Sequence, residues 1–182
     1  MSKKTLGLIV VLAIISGILF YVALSQSNPT PLSQPQVIKP NPAQSVLSMA
    51  AEPASTGSAQ TVDVNINTYS NNVTAVQLEI TYDPKIITYV RVNAGTFLDN
   101  PVQLFNTVDQ KNGRISYAIG IPPTGTGKKG QGIVATINFS TLPNATQPAT
   151  FTFAPKTKVA AEGVSQSVLR NALNLTLPLP TK

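Results

Sequence analysis

The stretch VTAVQLEITYDP, residues 73–84, decides the fold. From Val76 it alternates strictly: Val76, Leu78, Ile80 and Tyr82 take one side, Gln77, Glu79 and Thr81 the other. A pleated strand sends successive side chains to opposite faces, so a period of two reads as a half-buried β-strand. Asp83-Pro84 stops it. The Asp accepts a backbone N–H two residues on, and the Pro pre-sets φ for a turn. A strand with one dry face needs a second layer to cover that face.

Working outward, the flanking chain supplies more strands. Upstream, residues 45–51 read as a short first strand, and residues 61–68 place Val62, Val64 and Ile66 inward against Asp63, Asn65 and Asn67 outward. Ser70-Asn71-Asn72 is a turn. Downstream, residues 86–92 are β-branched and residues 102–108 form a weaker strand. Asn112-Gly113 marks a hairpin, because these residues accept positive φ. Residues 114–120 then alternate with Ile115, Tyr117 and Ile119 inward. Residues 121–131, IPPTGTGKKGQ, read as a mobile loop. Ile133, Ala135, Ile137 and Phe139 define the next inward face, and residues 150–153 pair two inward Phe with two Thr. Residues 156–163 hold a short segment, and residues 164–172 have room for one helical turn. Leu173, Leu175, Leu177 and Leu179 make a last strand stopped by Pro178 and Pro180. These are about nine strands with turns every 8–12 residues, the pattern of an all-β antiparallel sandwich or jelly roll.

Three segments divide the chain. Residues 1–25 carry Lys3 and Lys4 and then an uncharged apolar run from Leu6 to Leu24. That run reaches about 28 Å as a helix, close to a bilayer core. It exceeds the roughly 7–15 apolar residues of a cleaved signal, which favours an uncut signal anchor over cleavage near Ser25. The basic flank keeps the N-terminus cytoplasmic and sends residues 45–182 to the cell surface as a single-pass membrane protein. Residues 26–44 hold Pro29, Pro31, Pro35, Pro40 and Pro42 among Ser, Gln and Asn. Such a segment favours an extended stalk of about 3.1 Å per residue. Residues 45–182 form the β domain.

Read in order, several pieces resemble a cohesin domain, the nine-stranded sandwich of cellulosomal scaffoldins. They are Tyr82-Asp83-Pro84, Ile86-Ile87, Val92-Asn93-Ala94-Gly95, Phe97-Leu98, Gly113-Arg114-Ile115, and Gly130-Gln131-Gly132 running into Ile133–Phe139. The resemblance implies a receptor for dockerins, small calcium-loaded modules that dock on the sheet face holding residues 73–82. Family members carry Asn-x-Asp-x-x-x-x-Tyr-Asp-Pro there. Counting back from Tyr82, the Asn and Asp positions are Ala75 and Gln77. The Asp is replaced, and Gln77, Glu79 and Thr81 supply the polar groups of that face. Ala75, Gln77, Glu79 and Thr81 are the candidate partner-binding residues.

Composition excludes much chemistry. The 182 residues include no His, Cys or Trp, 11 % are charged, and the net charge is +6. Without His there are no His-based triads or His metal sites, and without Cys no disulfides or thiolate metal sites. The seven acids are scattered. Asp83, Asp99 and Asp109 stand at turns, and Asp63 and Glu79 sit at outward strand positions as solvated residues. No pair suggests a glycosidase and no run suggests a calcium loop, so no enzyme, metal or cofactor is expected. Dispersed Lys and Arg argue against nucleic acid. Gly125 to Gly130 lacks the Gly-Lys-Ser/Thr ending of a phosphate loop. Four Asn-x-Ser/Thr matches, at Asn72, Asn138, Asn144 and Asn174, are what an Asn/Thr-rich β protein produces by chance.

The alternative to protein docking is polysaccharide binding, which relies on exposed aromatics. Tyr69 and Tyr89 are the candidate glycan platforms, although packing at the core or rim is the commoner fate of such residues. Tyr82 and Tyr117 fall on inward parities. A third reading is a structural surface-stalk domain. An exposed aromatic strip would favour glycan, a flat face of mixed polar and apolar residues protein docking, and a uniformly polar surface the structural role.

Overall fold

The computed structural model describes residues 3–25, 43–52 and 59–178. They fall in two compact units, residues 1–37 and 38–182. The first contains helix α1 (Lys3–Ser25). It is long and apolar enough to cross a membrane, a property it shares with signal sequences. The stalk segment 26–42 lies outside the described residues.

The second unit is a two-sheet β-sandwich with eleven strands among the described residues: β1 (Ser45–Ala51), β2 (Ala59–Asn67), β3 (Val73–Tyr82), β4 (Ile87–Ala94), β5 (Val102–Asp109), β6 (Arg114–Gly120), β7 (Gln131–Thr141), β8 (Ala149–Phe153), β9 (Lys158–Ala161), β10 (Leu169–Leu173) and β11 (Leu175–Leu177). One sheet runs β10-β1-β2-β7-β4 and the other β11-β8-β3-β6-β5, with β9 also pairing with β3. Most of the inward parities read from sequence meet between the sheets; in β7 a bulge puts Val134, and not Ile133, in the core. Val62, Val64 and Ile66 from one sheet face Val76, Leu78, Ile80, Ile115, Tyr117 and Ile119 from the other, each at most 2 % exposed. Phe139 and Phe151 close the centre edge-to-face, with ring centroids 5.0 Å apart.

The strand count exceeds nine because the C-terminal segment is divided. The leucines do not form one strand. Asn174 separates β10, which joins β1, from β11, which joins β8 in the opposite sheet. Leu173 consequently stays half exposed, and Leu179 lies outside the described residues. The segment 164–172 forms no helical turn. Ser45 N–H donates to Val168 O (3.0 Å), and residues from Leu169 on satisfy the otherwise open edge of β1. That pairing is parallel, an exception to the antiparallel expectation. The gap between β8 and β9 has its own cause. Ala154 N–H donates to Glu79 O, and the Thr157 hydroxyl bonds both Glu79 N–H (3.1 Å) and Glu79 O (3.0 Å), so β3 keeps its ladder across the break.

The loop 121–131 is not free. Lys128 exchanges two 2.9 Å backbone hydrogen bonds with Val73, its ammonium pairs with Asp99 at 2.8 Å, and Gly127 N–H donates to the Glu162 carboxylate. Its Gly and Lys content suggested mobility, but long-range pairing holds it.

Candidate functional site

Sheet topology places the candidate residues at the centre of an open face. Strand β3 lies between β6 on one side and β8 and β9 on the other. Ala75, Gln77, Glu79 and Thr81 point away from the core, opposite Val76, Leu78 and Ile80. In register, Gln77 stands against Ala118 and Lys158, Glu79 against Ser116, and Thr81 against Arg114 and Thr152. Beyond β6, edge strand β5 sets Phe105 against Ala118 and Thr107 against Ser116. The four residues therefore share one sheet face with β5, β6 and the two Thr of β8.

Glu79 departs from expectation. It is 8 % exposed rather than solvated. Its carboxylate accepts the Ser116 hydroxyl at 2.7 Å and the Gln77 amide at 3.2 Å. A central strand position hides an outward side chain behind its neighbours on both flanking strands. Asp63 is hidden in the same way, also 8 % exposed, with the Thr136 hydroxyl donating at 2.7 Å. Parity gave direction correctly but not burial, because strand order is not written in the local sequence.

Sequence reading found β5 as a weaker strand over residues 102–108 but missed its bulge and its exposed apolar side chains. Its register slips between Gln103 and Phe105, leaving Leu104 as the extra residue of a β-bulge. A bulge re-aims side chains. Leu104 leans over the outer face, its Cδ1 close to where Gly120 would carry a Cβ. Leu104 is 60 % exposed, with Val102 and Phe105 at 44 % and 39 %. The consecutive apolar pair Leu-Phe in an otherwise alternating segment was the available signal. The result is an apolar shelf beside a floor of small residues, Ala75, Ala118 and Gly120, and a polar centre of Gln77, Glu79, Ser116 and Thr81.

The tyrosines divide as their parities indicated only in part. Tyr82 and Tyr117 are buried. Burial holds both hydroxyls above the ordinary tyrosine range, and for Tyr82 the Asp109 charge adds to the effect. Tyr69 and Tyr89 are not packed at the core. They are 60 % and 76 % exposed, both at positive φ. They do not form a strip. Tyr69 follows Asn67, which pairs with Gln131 at the start of β7, whereas Tyr89 lies between partners of Ser140 and Asn138 near its end. About eight residues of strand separate them, roughly 27 Å at the strand rise.

Two of the three turn acids serve the backbone, while the third, Asp99, pairs with the Lys128 ammonium instead. Asp83 accepts from Lys85 N–H (2.8 Å), and Asp109 from the N–H groups of Lys111 and Asn112 and from the Asn112 amide. These bonds hold the Asp109 carboxyl below its usual range. Among the described residues no group of acids is placed to hold a metal ion.

A comparison with models of known families adds to this geometry. The model of the cohesin domain matches residues 46–174. The chain belongs to the cohesin family. Solved cohesins share its fold. The sixth cohesin of Acetivibrio cellulolyticus scaffoldin B, solved in complex with a Cel5 dockerin mutant, aligns at TM-score 0.62 and 18 % identity, over 74 % of this chain and 99 % of that one. The seventh ScaB type I cohesin of Pseudobacteroides cellulosolvens aligns at TM-score 0.61 and 17 % identity, over 76 % and 97 %. A type II cohesin domain from the Acetivibrio cellulolyticus cellulosome gives 0.59 and 18 %, over 75 % and 96 %. No curated protein matches. At these identities the solved cohesins establish the fold and leave the partner to the chemistry of the face.

Proposed function

We propose that this cohesin is a non-catalytic docking module that receives a dockerin-like protein partner on the β8-β3-β6-β5 face. The observation that carries the reading is the composition of that face. Exposed Val102, Leu104 and Phe105 adjoin the polar centre at Gln77, Glu79 and Ser116. An apolar patch beside convergent polar groups is the anatomy of a protein interface. Glycan stacking is less well served, since Tyr69 and Tyr89 stand at opposite ends of the other sheet.

Helix α1 is the proposed single-pass anchor, with Lys3 and Lys4 cytoplasmic and the stalk spacing the sandwich from the cell surface. Protease protection of the helix flanks in whole cells tests that topology.

Titration of the full chain in detergent against purified dockerin modules, with and without calcium, tests the docking. Leu104→Ser with Phe105→Ser is expected to weaken binding at least tenfold at unchanged melting temperature. Equal binding by this double variant overturns the assignment of the face. Retention on insoluble polysaccharide with no dockerin binding overturns the function in favour of a glycan-binding module.

A further inference from the structure

The four Asn-x-Ser/Thr matches meet different environments in the fold. Asn72 is half-buried; its side-chain amide donates to the Glu162 carboxylate at 3.1 Å and its backbone carbonyl accepts the Glu162 N–H at 2.9 Å. Asn138 lies inside β7, between Thr61 of β2 and Arg91 of β4, and its side-chain oxygen accepts the Thr61 hydroxyl at 3.1 Å. Asn174 accepts the Phe153 N–H at 2.9 Å, and the hydroxyl two residues on, Thr176, is bonded to Thr150 across the β11–β8 ladder. Asn144 differs from all three. Residues 142–148 join β7 to β8, and Asn144 and Thr146 are both exposed. Among the described residues neither side chain makes a hydrogen bond. The one backbone bond there inside the match runs from Ala145 N–H to Leu142 O at 3.0 Å. It closes a turn with Pro143 and Asn144 at the two central places.

We propose that Asn144 is an N-glycosylation acceptor, the residue of this chain to which a lipid-phosphate-linked oligosaccharide is transferred. A transferase must reach the Asn amide nitrogen and the hydroxyl two residues on together, which an exposed turn permits and a hydrogen-bonded strand does not. In the transfer Asn144 Nδ2 bonds to the anomeric carbon of the sugar, and the bond from that carbon to the phosphate oxygen breaks. The lipid phosphate departs with the electron pair and the amide loses one proton, so nothing is oxidised or reduced. The fold also gives the sugar room. Val46, at the start of the sandwich, pairs with Asn67, whose other partner Gln131 begins β7, and the acceptor follows the far end of β7. The eleven residues of β7 span about 36 Å. The glycan therefore leaves the end of the domain opposite to the one at which residue 45 enters it. There a bulky, solubilising chain adjoins Leu142, an exposed apolar residue of the same turn. The inference goes beyond docking and rests on the export of the sandwich proposed above, since such transfer takes place on the non-cytoplasmic side of a membrane.

The folded full chain in detergent is the acceptor in the test. A purified oligosaccharyltransferase is supplied with a lipid-phosphate-linked oligosaccharide, and the product is read by intact mass and peptide mapping. Expected is a mass increase of one oligosaccharide, mapped to Asn144. It should be lost in Asn144→Gln and in Thr146→Ala and restored in Thr146→Ser, with the melting temperature of each variant unchanged. The same peptide is then mapped on the chain isolated from its source membranes, alongside protease accessibility of residues 45–182 in whole cells. Glycan on Asn144 of that chain supports the proposal. No transfer to the folded chain, transfer to another Asn instead, or an unmodified Asn144 on a chain whose sandwich is protease-accessible overturns the acceptor assignment and leaves export standing. A sandwich cleaved only after lysis overturns the export reading, and this inference with it.

Discussion

Strands β3 and β5 lie two places apart in one sheet and meet opposite fates. VTAVQLEITY and VQLFNTVD are both rich in apolar residues. In β3 the alternates Val76, Leu78 and Ile80 are each 1 % exposed, while in β5 Leu104 is 60 % exposed. Neither hydrophobicity nor β propensity separates them. Position does: β3 has neighbours on both sides and the other sheet beneath it, while β5 has β6 alone and a bulge. A hydrophobic residue is driven inside only where the fold offers an inside. What remains exposed on β5 is available for recognition.

The largest test of this contrast is Leu78→Ala. Removing a fully buried leucine leaves a cavity and is expected to cost about 3 kcal/mol, read from urea unfolding. A loss under about 1 kcal/mol would break the picture of β3 as the spine of the core. Gly113→Ala probes the hairpin that holds β5 to β6. Gly113 has φ +62, and an added Cβ would stand 2.0 Å from Tyr82 O at the end of β3. Both strain and clash oppose the change, and about 2 kcal/mol of destabilisation is expected by the same measurement.

Tyr117, on the strand between the two, sharpens the comparison through pH. Its hydroxyl is buried with no hydrogen-bond partner among the described residues. Burial raises its pKa above 10.0. The unfolded chain therefore releases this proton first, and its stabilisation, complete below about pH 10, is lost as pH rises from there towards the folded pKa. Tyr117→Phe removes an unsatisfied polar atom and is expected to gain about 1 kcal/mol at pH 7. Alkaline melting should also become less steep, with Tyr82 accounting for the remainder; an unchanged alkaline profile would exclude Tyr117 as its source. Leu104→Ala is the smallest expected effect on folding, within about 0.5 kcal/mol. The same variant should weaken partner binding, and a stability loss matching Leu78→Ala would erase the distinction between the two strands.

Legibility followed the range of the interactions. The Asp83 turn worked as read, its carboxylate accepting a bond from Lys85 N–H. Asn112-Gly113 formed the hairpin, and Ile115, Tyr117 and Ile119 turned inward. Each depends on neighbours in the chain. Strand ends and loop order were misread where distant partners decide. Residues 169–173 became a strand because β1 had an open edge. The loop 121–131 was fixed by Val73, Asp99 and Glu162. At the candidate site, parity gave the outward direction of Gln77 and Glu79, but not the burial of Glu79 or the apolar shelf of β5.

The sequence by itself determined the sandwich, since period-two alternation punctuated by turn residues leaves two dry faces that must meet. It also determined the long apolar N-terminal helix and the absence of His and Cys chemistry. Only the tertiary structure decided which strands are central and which are edges. Strand order joins residues far apart in the chain, through backbone hydrogen bonds that carry no side-chain signature. That order hides Glu79, exposes Leu104 and Phe105, and brings them onto one face.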